Sequence, residues 1–187
     1  MPTAMAQRTV LDPPAPTLPS ARQGVYTSSG LIDALEGAQK MDINGEFRIP
    51  KSRDAVWAAL NDPDTLAECI PGCDSIERIS DTEFAARITA KIGPVKSSFD
   101  TTVTLSDLNP PESYTLTGEG KGGVAGFARG SADVRLDEDG AETLLVYSAR
   151  IQPGGKLAQV GSRLIGGTAR KLSDDFFAKF VEVVSSD

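Results

Sequence analysis

The stretch "GEGKGGVAGFARGSADVRL", residues 118–136, decides between two kinds of fold. It contains the pattern G-x-G-x-x-G at Gly118, Gly120 and Gly123, which in dinucleotide-binding proteins opens a helix whose N-terminal amides meet a pyrophosphate. No helix is expected here, because small or apolar residues alternate with mostly polar ones over residues 124–136. The stretch therefore predicts a β-hairpin with one face of glycine and alanine, and it disfavours a phosphate site.

A glycine-lined strand face has two explanations that the sequence leaves open. Either a helix packs tightly against it, or the missing side chains leave volume for an apolar ligand. In the second case the turns at one end of the sheet would form a flexible entrance. The predicted entrance residues are Gly93, Pro94, Gly122, Gly123, Gly126, Gly154 and Gly155.

The surrounding sequence predicts an antiparallel sheet. Six strand-like runs follow one another between residues 74 and 152, separated by turn signals such as Gly93-Pro94. An alternating strand over residues 42–49 and two short helices precede them, and a long helical pattern beginning at Leu157 follows. This order predicts an α+β helix-grip fold, in which a seven-stranded antiparallel sheet wraps around a long C-terminal helix and two short helices follow strand 1.

Composition excludes several function classes. The chain has 187 residues, a formal net charge of -7 and no histidine, so nucleic-acid binding is disfavoured and imidazole-based catalysis is excluded. Cys69 and Cys73 are expected to be reduced thiols, and no metal site is predicted. No signal peptide or apolar span is evident, so we expect a soluble, cytoplasmic protein.

The first forty residues differ from the rest of the chain. They are proline-rich, with the stretch "LDPPAPTLPSARQG" and charges that cancel, so residues 1–40 are predicted to be a disordered extension. A short helix within "SSGLIDALEGAQK" is the exception. Residues 41–187 are predicted to be the helix-grip ligand-binding domain.

If a cavity lies between sheet and helix, inward strand positions and the facing side of the helix should line it. Ordinary core packing explains each of these residues equally well. For a ligand headgroup, hydrogen-bond partners are sought among Thr101, Tyr147, Ser148 and Arg150. The predicted lining residues are Leu60, Ile70, Phe84, Phe99, Leu116, Tyr147, Leu157, Val160, Leu164 and Ile165.

Three long stretches carry a resemblance to a known family. They are "LAECIPGCDSIE" at 66–77, the run from "KIGPVKSSFD" to "SADVRL" at 91–136, and "GGKLAQVGSRLIGGTARKLSDDFFAKF" at 154–180. In these the chain resembles the CoxG family of carbon monoxide dehydrogenase subunits, within the START-like (SRPBCC) superfamily. The resemblance implies a helix-grip fold with a hydrophobic cavity and a non-catalytic accessory role beside molybdenum hydroxylases of the carbon monoxide dehydrogenase type.

The resemblance further implies a hydrophobic ligand, such as a quinone or lipid, and a link between the hydroxylase and the membrane. Some members carry a C-terminal apolar anchor, whereas this chain ends directly after its long helix. We therefore expect at most a peripheral contact at the inner face of the membrane, and no cofactor. Two rival functions remain: an assembly factor acting through protein contacts alone, and an enzyme working inside the cavity, which would need a buried acid or base.

Overall fold

Seven strands and three α-helices form the part of the chain that the computed structural model describes, residues 40–186. The predicted N-terminal extension, except Lys40, and the short helix predicted within it lie outside these residues. The strands are β1 (Met41–Ile49), β2 (Cys73–Ser80), β3 (Glu83–Ile92), β4 (Val95–Asn109), β5 (Ser113–Lys121), β6 (Phe127–Asp139) and β7 (Glu142–Gly154). The helices are α1 (Arg53–Leu60), α2 (Pro63–Cys69) and α3 (Ser162–Ser186), with 3-10 turns at Gly123–Ala125 and Leu157–Val160.

The strands form one sheet in the order β1-β7-β6-β5-β4-β3-β2, and every neighbouring pair is antiparallel. Strand β1 returns to the far edge and pairs with β7 along its whole length, from Met41 opposite Ile151 to Ile49 opposite Thr143. The element order and the antiparallel sheet predicted from the sequence are confirmed. Because side chains alternate along each strand, the sheet presents one face to the helices and the other to solvent.

The main core lies between this inner face and the second half of α3. Phe180 of α3 is fully buried, and Val184 one turn later is 7% exposed. Both belong to a cluster of buried residues that covers most of the sheet's width. Its members are Ile49, Val56, Cys69, Phe84, Leu105, Tyr114, Val134, Leu136, Leu145, Phe180 and Val184.

Two predicted element boundaries are wrong, and glycine explains both. Strand β6 begins at Phe127 rather than Val124, because Gly126 has φ +99° and follows a 3-10 turn. Helix α3 begins at Ser162 rather than Leu157, because Gly161 has φ +95°. A positive φ is incompatible with both a regular strand and a right-handed helix.

The corner between α1 and α2 is fixed by a side-chain cap. Asp62 accepts hydrogen bonds from the Thr65 backbone N–H at 2.9 Å and from the Thr65 hydroxyl at 2.7 Å. These bonds, that from the hydroxyl first, hold the pKa of Asp62 below its usual range. Pro63 occupies the first turn of α2, where its missing N–H costs nothing. Ser52, predicted to cap α1, stands at the N-cap position but its side chain makes no capping bond.

Candidate ligand-binding cavity

A space of about 330 Å³ lies between the sheet, α2 and the second half of α3. We call it the inner space. No charged side chain lines it, and its volume falls at the lower end of the range of small-molecule sites. Its lining residues are Leu60, Leu66, Ile70, Ile76, Phe84, Ala86, Ile88, Thr101, Val103, Leu105, Tyr114, Leu116, Ala132, Val134, Leu145, Tyr147, Ala149, Ser173, Phe176 and Phe177.

A second space of about 390 Å³, the outer space, adjoins it toward the glycine-rich turn. Its wall includes Gly118, Gly120 and Gly130, and it extends to Phe99 and Leu157. The two spaces therefore follow one another along the inner face of the sheet. Six residues line both of them: Ile88, Thr101, Val103, Leu116, Ala132 and Ala149.

The glycines of β5 face empty volume rather than the helix. A Cβ on Gly118 would meet only sheet atoms, the Thr102 carbonyl at 3.5 Å and Val103 Cγ2 at 3.6 Å. A Cβ on Gly120 would likewise meet only Thr101 and Phe99 within 4 Å. Of the two explanations for the glycine-lined face, tight packing of the C-terminal helix is therefore excluded at these positions.

The polar groups of the inner space are hydroxyls without partners. Tyr114, Tyr147 and Ser173 make no side-chain hydrogen bond to any residue between 40 and 186, and all three line the space. Burial raises the pKa of Tyr114 well above its ordinary value, so this phenol stays protonated and can donate. A ligand carbonyl entering the space would therefore meet hydrogen-bond donors in an apolar wall.

Aromatic rings form the side of the inner space next to β1, β7 and α3. Phe177 stacks on Phe47 with ring centroids 4.1 Å apart and lies 5.9 Å from Tyr147. Phe176 meets Phe177 edge-on at 4.9 Å. Flat, polarisable surfaces of this kind suit a planar ring.

The turns predicted to form an entrance do gather at one end of the sheet, where a small apolar cluster closes the outer space. Phe99, Ala125 and Leu157 are buried there together. Gly122 lies directly under the Phe99 ring, since a Cβ at this position would come within 2.5 Å of it. The Gly122 N–H donates to the Gly126 carbonyl at 2.7 Å, and the Ser97 hydroxyl donates to the Gly122 carbonyl at 3.1 Å.

Most of the predicted lining residues border one of the two spaces. Leu60, Ile70, Phe84 and Tyr147 line the inner space, Phe99 and Leu157 line the outer space, and Leu116 lines both. Whether any of them contacts a ligand stays a prediction.

Three predicted residues, Val160, Leu164 and Ile165, border neither space. The reason is the later start of α3: Val160 ends a separate 3-10 turn, and Leu164, in the first helical turn, is 53% exposed. Ile165 is buried but lies away from both spaces.

The predicted polar partners divide between the two faces of the sheet. Thr101 and Tyr147 point inward. Ser148 and Arg150 alternate with the inward Tyr147 and Ala149, so their side chains lie on the outer face. The Arg150 side chain is 72% exposed and pairs with Asp42 at 3.6 Å, which makes both residues wrong as cavity partners.

Sequence reasoning missed the helical wall of the inner space. Ser173, Phe176 and Phe177 of α3 line it, and their spacing of three and four residues places them on one helical face. Tyr114 was missed on β5, although it alternates in step with Leu116. The same periodicities could have identified all four residues.

Other site types have little support between residues 40 and 186. No group of three histidine, cysteine or acidic residues there is placed to hold a metal, and no helix there is long and apolar enough to cross a bilayer. Cys69 and Cys73 are both free thiols. Burial and the neighbouring Glu68 charge raise the pKa of Cys69 to about 11, which makes it a poor nucleophile at neutral pH.

Solved structures show the same fold in proteins with different roles. The chain is 33% identical to a conserved protein from Geobacillus kaustophilus, with a TM-score of 0.73 over 78% of this chain and 96% of that one. A START superfamily protein from Mycobacterium smegmatis is 9% identical, with a TM-score of 0.60 over 78% and 97% of the two chains. The ZhuI aromatase/cyclase from Streptomyces sp. R1128 is 11% identical, with a TM-score of 0.60 over 78% and 94%. At the two lower identities the likeness shows the helix-grip fold alone.

No curated protein matches the chain significantly in sequence. The family comparison, by contrast, matches residues 45–185, which is nearly the whole of the described region. The matched segment runs from β1 to the end of α3 and includes both spaces. The chain therefore belongs to the CoxG family of carbon monoxide dehydrogenase subunits.

Proposed function

We propose that this protein is a non-catalytic accessory protein that binds an apolar, ring-bearing ligand of the quinone type in its inner space. The observation that carries the proposal is a cavity of about 330 Å³ whose lining is apolar and aromatic except for a few hydroxyls. Such a site favours a largely hydrophobic molecule with one or two hydrogen-bond acceptors. A quinone has a planar ring, two carbonyl acceptors and an apolar tail.

The arrangement of the two spaces supports a head-and-tail ligand. The ring would stack among Phe176, Phe177 and Tyr147, where the free hydroxyls are. The tail would extend past Thr101 into the outer space, along the wall of Gly118 and its neighbours. Hydrogen bonds to Tyr147 or Tyr114 would offset the desolvation of the ring carbonyls.

The lining also argues against chemistry inside the cavity. General acid–base catalysis needs a group whose pKa lies near the working pH, and no carboxylate, lysine or arginine lines the inner space. Tyr114 has its pKa raised by burial, which moves it further from neutrality. The aromatase/cyclase shares the fold, but shared fold does not transfer activity.

Family membership supports the choice of partner. The family takes its name from a subunit of carbon monoxide dehydrogenase, a molybdenum hydroxylase. A carrier with this cavity would exchange quinone between that enzyme and the membrane, so that electrons from the hydroxylase reach the respiratory chain. The protein would then work in the cytoplasm, at the inner face of the membrane.

Trp57, the single tryptophan of the chain, provides a direct assay. Its ring meets Tyr114 edge-on at 5.3 Å, and Tyr114 lines the inner space. Titration with menadione or decylubiquinone should quench Trp57 fluorescence saturably. Native mass spectrometry of the protein from a respiring host should also reveal a bound quinone.

Neighbouring alanines of β3 give a matched pair of variants. Ala86 lines the inner space and Ala85 faces the outer surface. Ala86→Leu adds volume to the cavity and should weaken quinone binding at least tenfold, since overfilling a packed site costs about 1–3 kcal/mol. Ala85→Leu should bind like the parent protein.

Equal binding by the two variants would place the quinone elsewhere and reject the cavity as its site. If the parent protein shows neither saturable quenching nor a co-purified apolar molecule, the carrier function fails. Retained association with the hydroxylase in that case would favour an assembly factor.

A further inference from the structure

Three turns meet at the glycine-rich end of the sheet and form one continuous surface. They are residues 91–96 between β3 and β4, 121–127 between β5 and β6, and 152–164 between β7 and α3. Gly93 lies against Leu164, with 3.6 Å from its Cβ position to Leu164 Cδ1. Gly126 similarly packs against Gly155. We call this surface the basic end.

The basic end carries five cations and no acidic residue in its three turns. All five side chains belong to exposed residues. Within residues 40–186, Lys121 lies 3.8 Å from Glu119, while the other four make no ion pair. The cations are Lys91, Lys96, Lys121, Lys156 and Arg163.

Two apolar side chains project from the same surface. Val124 is 85% exposed, because the 3-10 turn that buries Ala125 against Phe99 directs its neighbour outward. Leu164 is 53% exposed beside Gly93. Exposed apolar residues surrounded by cations are typical of surfaces that enter the headgroup region of a bilayer.

The opposite end of the sheet has similar apolar exposure but the reverse charge. Its three hairpin turns, residues 79–84, 106–113 and 137–142, contain eight acidic residues and no cation. Ile79 and Leu108 are 57% and 41% exposed there. Apolar exposure therefore does not distinguish the two ends, whereas charge does. We call this surface the acidic end.

We propose that the basic end docks the protein on an anionic lipid membrane, with Val124 and Leu164 entering the headgroup layer. A protein of formal net charge -7 is repelled by such a surface unless its cations are concentrated on one side. Docking in this orientation points the outer space at the bilayer and the acidic end at the cytoplasm. The inference identifies the membrane-facing surface of the proposed carrier and relies on that function only for the cargo.

Flotation with lipid vesicles tests the charge contribution. The parent protein should bind vesicles of equimolar phosphatidylcholine and phosphatidylglycerol, bind phosphatidylcholine alone much less, and dissociate as salt is raised. Changing Lys91, Lys96 and Lys121 together to Gln should weaken binding about a hundredfold, since each cation contributes on the order of fivefold. A control with the same charge change, Lys51, Lys171 and Lys179 to Gln, should bind more strongly than that variant by a wide margin.

The apolar contribution is tested by a second matched pair. Val124→Ser with Leu164→Ser should reduce vesicle binding, and Ile79→Ser with Leu108→Ser should not. The inference is overturned if the parent protein does not bind the anionic vesicles, or if either control loses as much binding as its counterpart. It is also overturned if the basic-end variant binds vesicles normally but no longer associates with the hydroxylase, because the surface would then recognise protein.

Quinone binding by the same variants separates this inference from the proposed function. Trp57 quenching by menadione should be unchanged in the basic-end variant, because none of the three lysines lines the inner space. Vesicle binding lost together with retained quenching supports docking through this end. Failure of quenching in the parent protein rejects the carrier and leaves the vesicle result to stand alone.

Discussion

The acidic and basic ends of the sheet share one set of strands but differ in how they are packed. Toward the acidic end, Phe180 and Val184 of α3 fill the groove of the sheet. Toward the basic end, the first half of α3 carries Gly166 and Gly167, and a Cβ on Gly167 would have no neighbour within 4 Å. The strand pairing is continuous between the ends. Side-chain size along α3 and β5 therefore decides where this fold is solid and where it keeps a space.

The largest effect should come from truncating the solid end. Phe180 is fully buried in the main core, so Phe180→Ala should lower the free energy of unfolding by about 3–5 kcal/mol. Phe99→Ala at the other end should cost about 2 kcal/mol, because one side of the Phe99 ring already borders the outer space and has fewer contacts to lose. Urea unfolding of both variants measures the difference.

This pair of variants tests the comparison itself. Equal losses at Phe180 and Phe99 would mean that the basic end is packed as tightly as the acidic end. A larger loss at Phe99 would contradict the assignment of the main core.

Glycines of the basic end should divide into two classes of smaller effect. Gly126→Ala should destabilise by about 1–3 kcal/mol, because Gly126 has φ +99° and a Cβ would strike the Gly154 carbonyl. Gly118→Ala should be neutral or stabilise by up to about 1 kcal/mol, since its Cβ would find contacts of 3.5 Å and 3.6 Å. Urea midpoints at constant m-value report both changes.

Gly140 at the acidic end is the control for backbone conformation. It has φ +67°, and a Cβ there would meet nothing within 4 Å, so Gly140→Ala should cost about 1 kcal/mol through conformation alone. If Gly118→Ala costs as much as Gly126→Ala, the glycines of β5 are required for the chain's conformation and not for the space beside them.

The same division explains what the sequence could and could not predict. Alternation on β5 and β6 predicted the sheet and its inward residues, including Leu116 and Tyr147, because strand periodicity needs only local information. The limits of α3 and β6 depended on the φ angles of Gly161 and Gly126, which the residue type permits but does not dictate. Leu164 was misplaced for this reason.

Strand register limited the prediction in a second way. Ser148 and Arg150 were considered beside Tyr147 because a shift of one residue exchanges the two faces of a strand. Pairing of β7 with β1 and β6 fixes the face, and such pairing is a long-range property. The gathering of five cations at one end likewise required the strand order to be known.

The smallest effect concerns Asp62, an acidic residue of the solid part of the molecule with a defined structural contact. Asp62→Ala should lower the free energy of unfolding by about 1 kcal/mol, because the cap of α2 is lost. Asp81→Ala, in an acidic-end turn, should stay within about 0.5 kcal/mol of the parent protein. The two variants separate a carboxylate that stabilises a helix from one that contributes only to surface charge.

The pH dependence of the Asp62 effect has a definite sign. The pKa of Asp62 is lowered by its bonds to Thr65, so the folded state favours the ionised carboxylate and the unfolded state binds the proton more readily. Its contribution is therefore complete at neutral pH and is lost as the pH falls below the ordinary aspartate range through the lowered pKa. The difference in urea midpoint between the parent protein and Asp62→Ala should shrink over that interval. A difference independent of pH would mean that the bonds from Thr65 do not depend on the charge of Asp62.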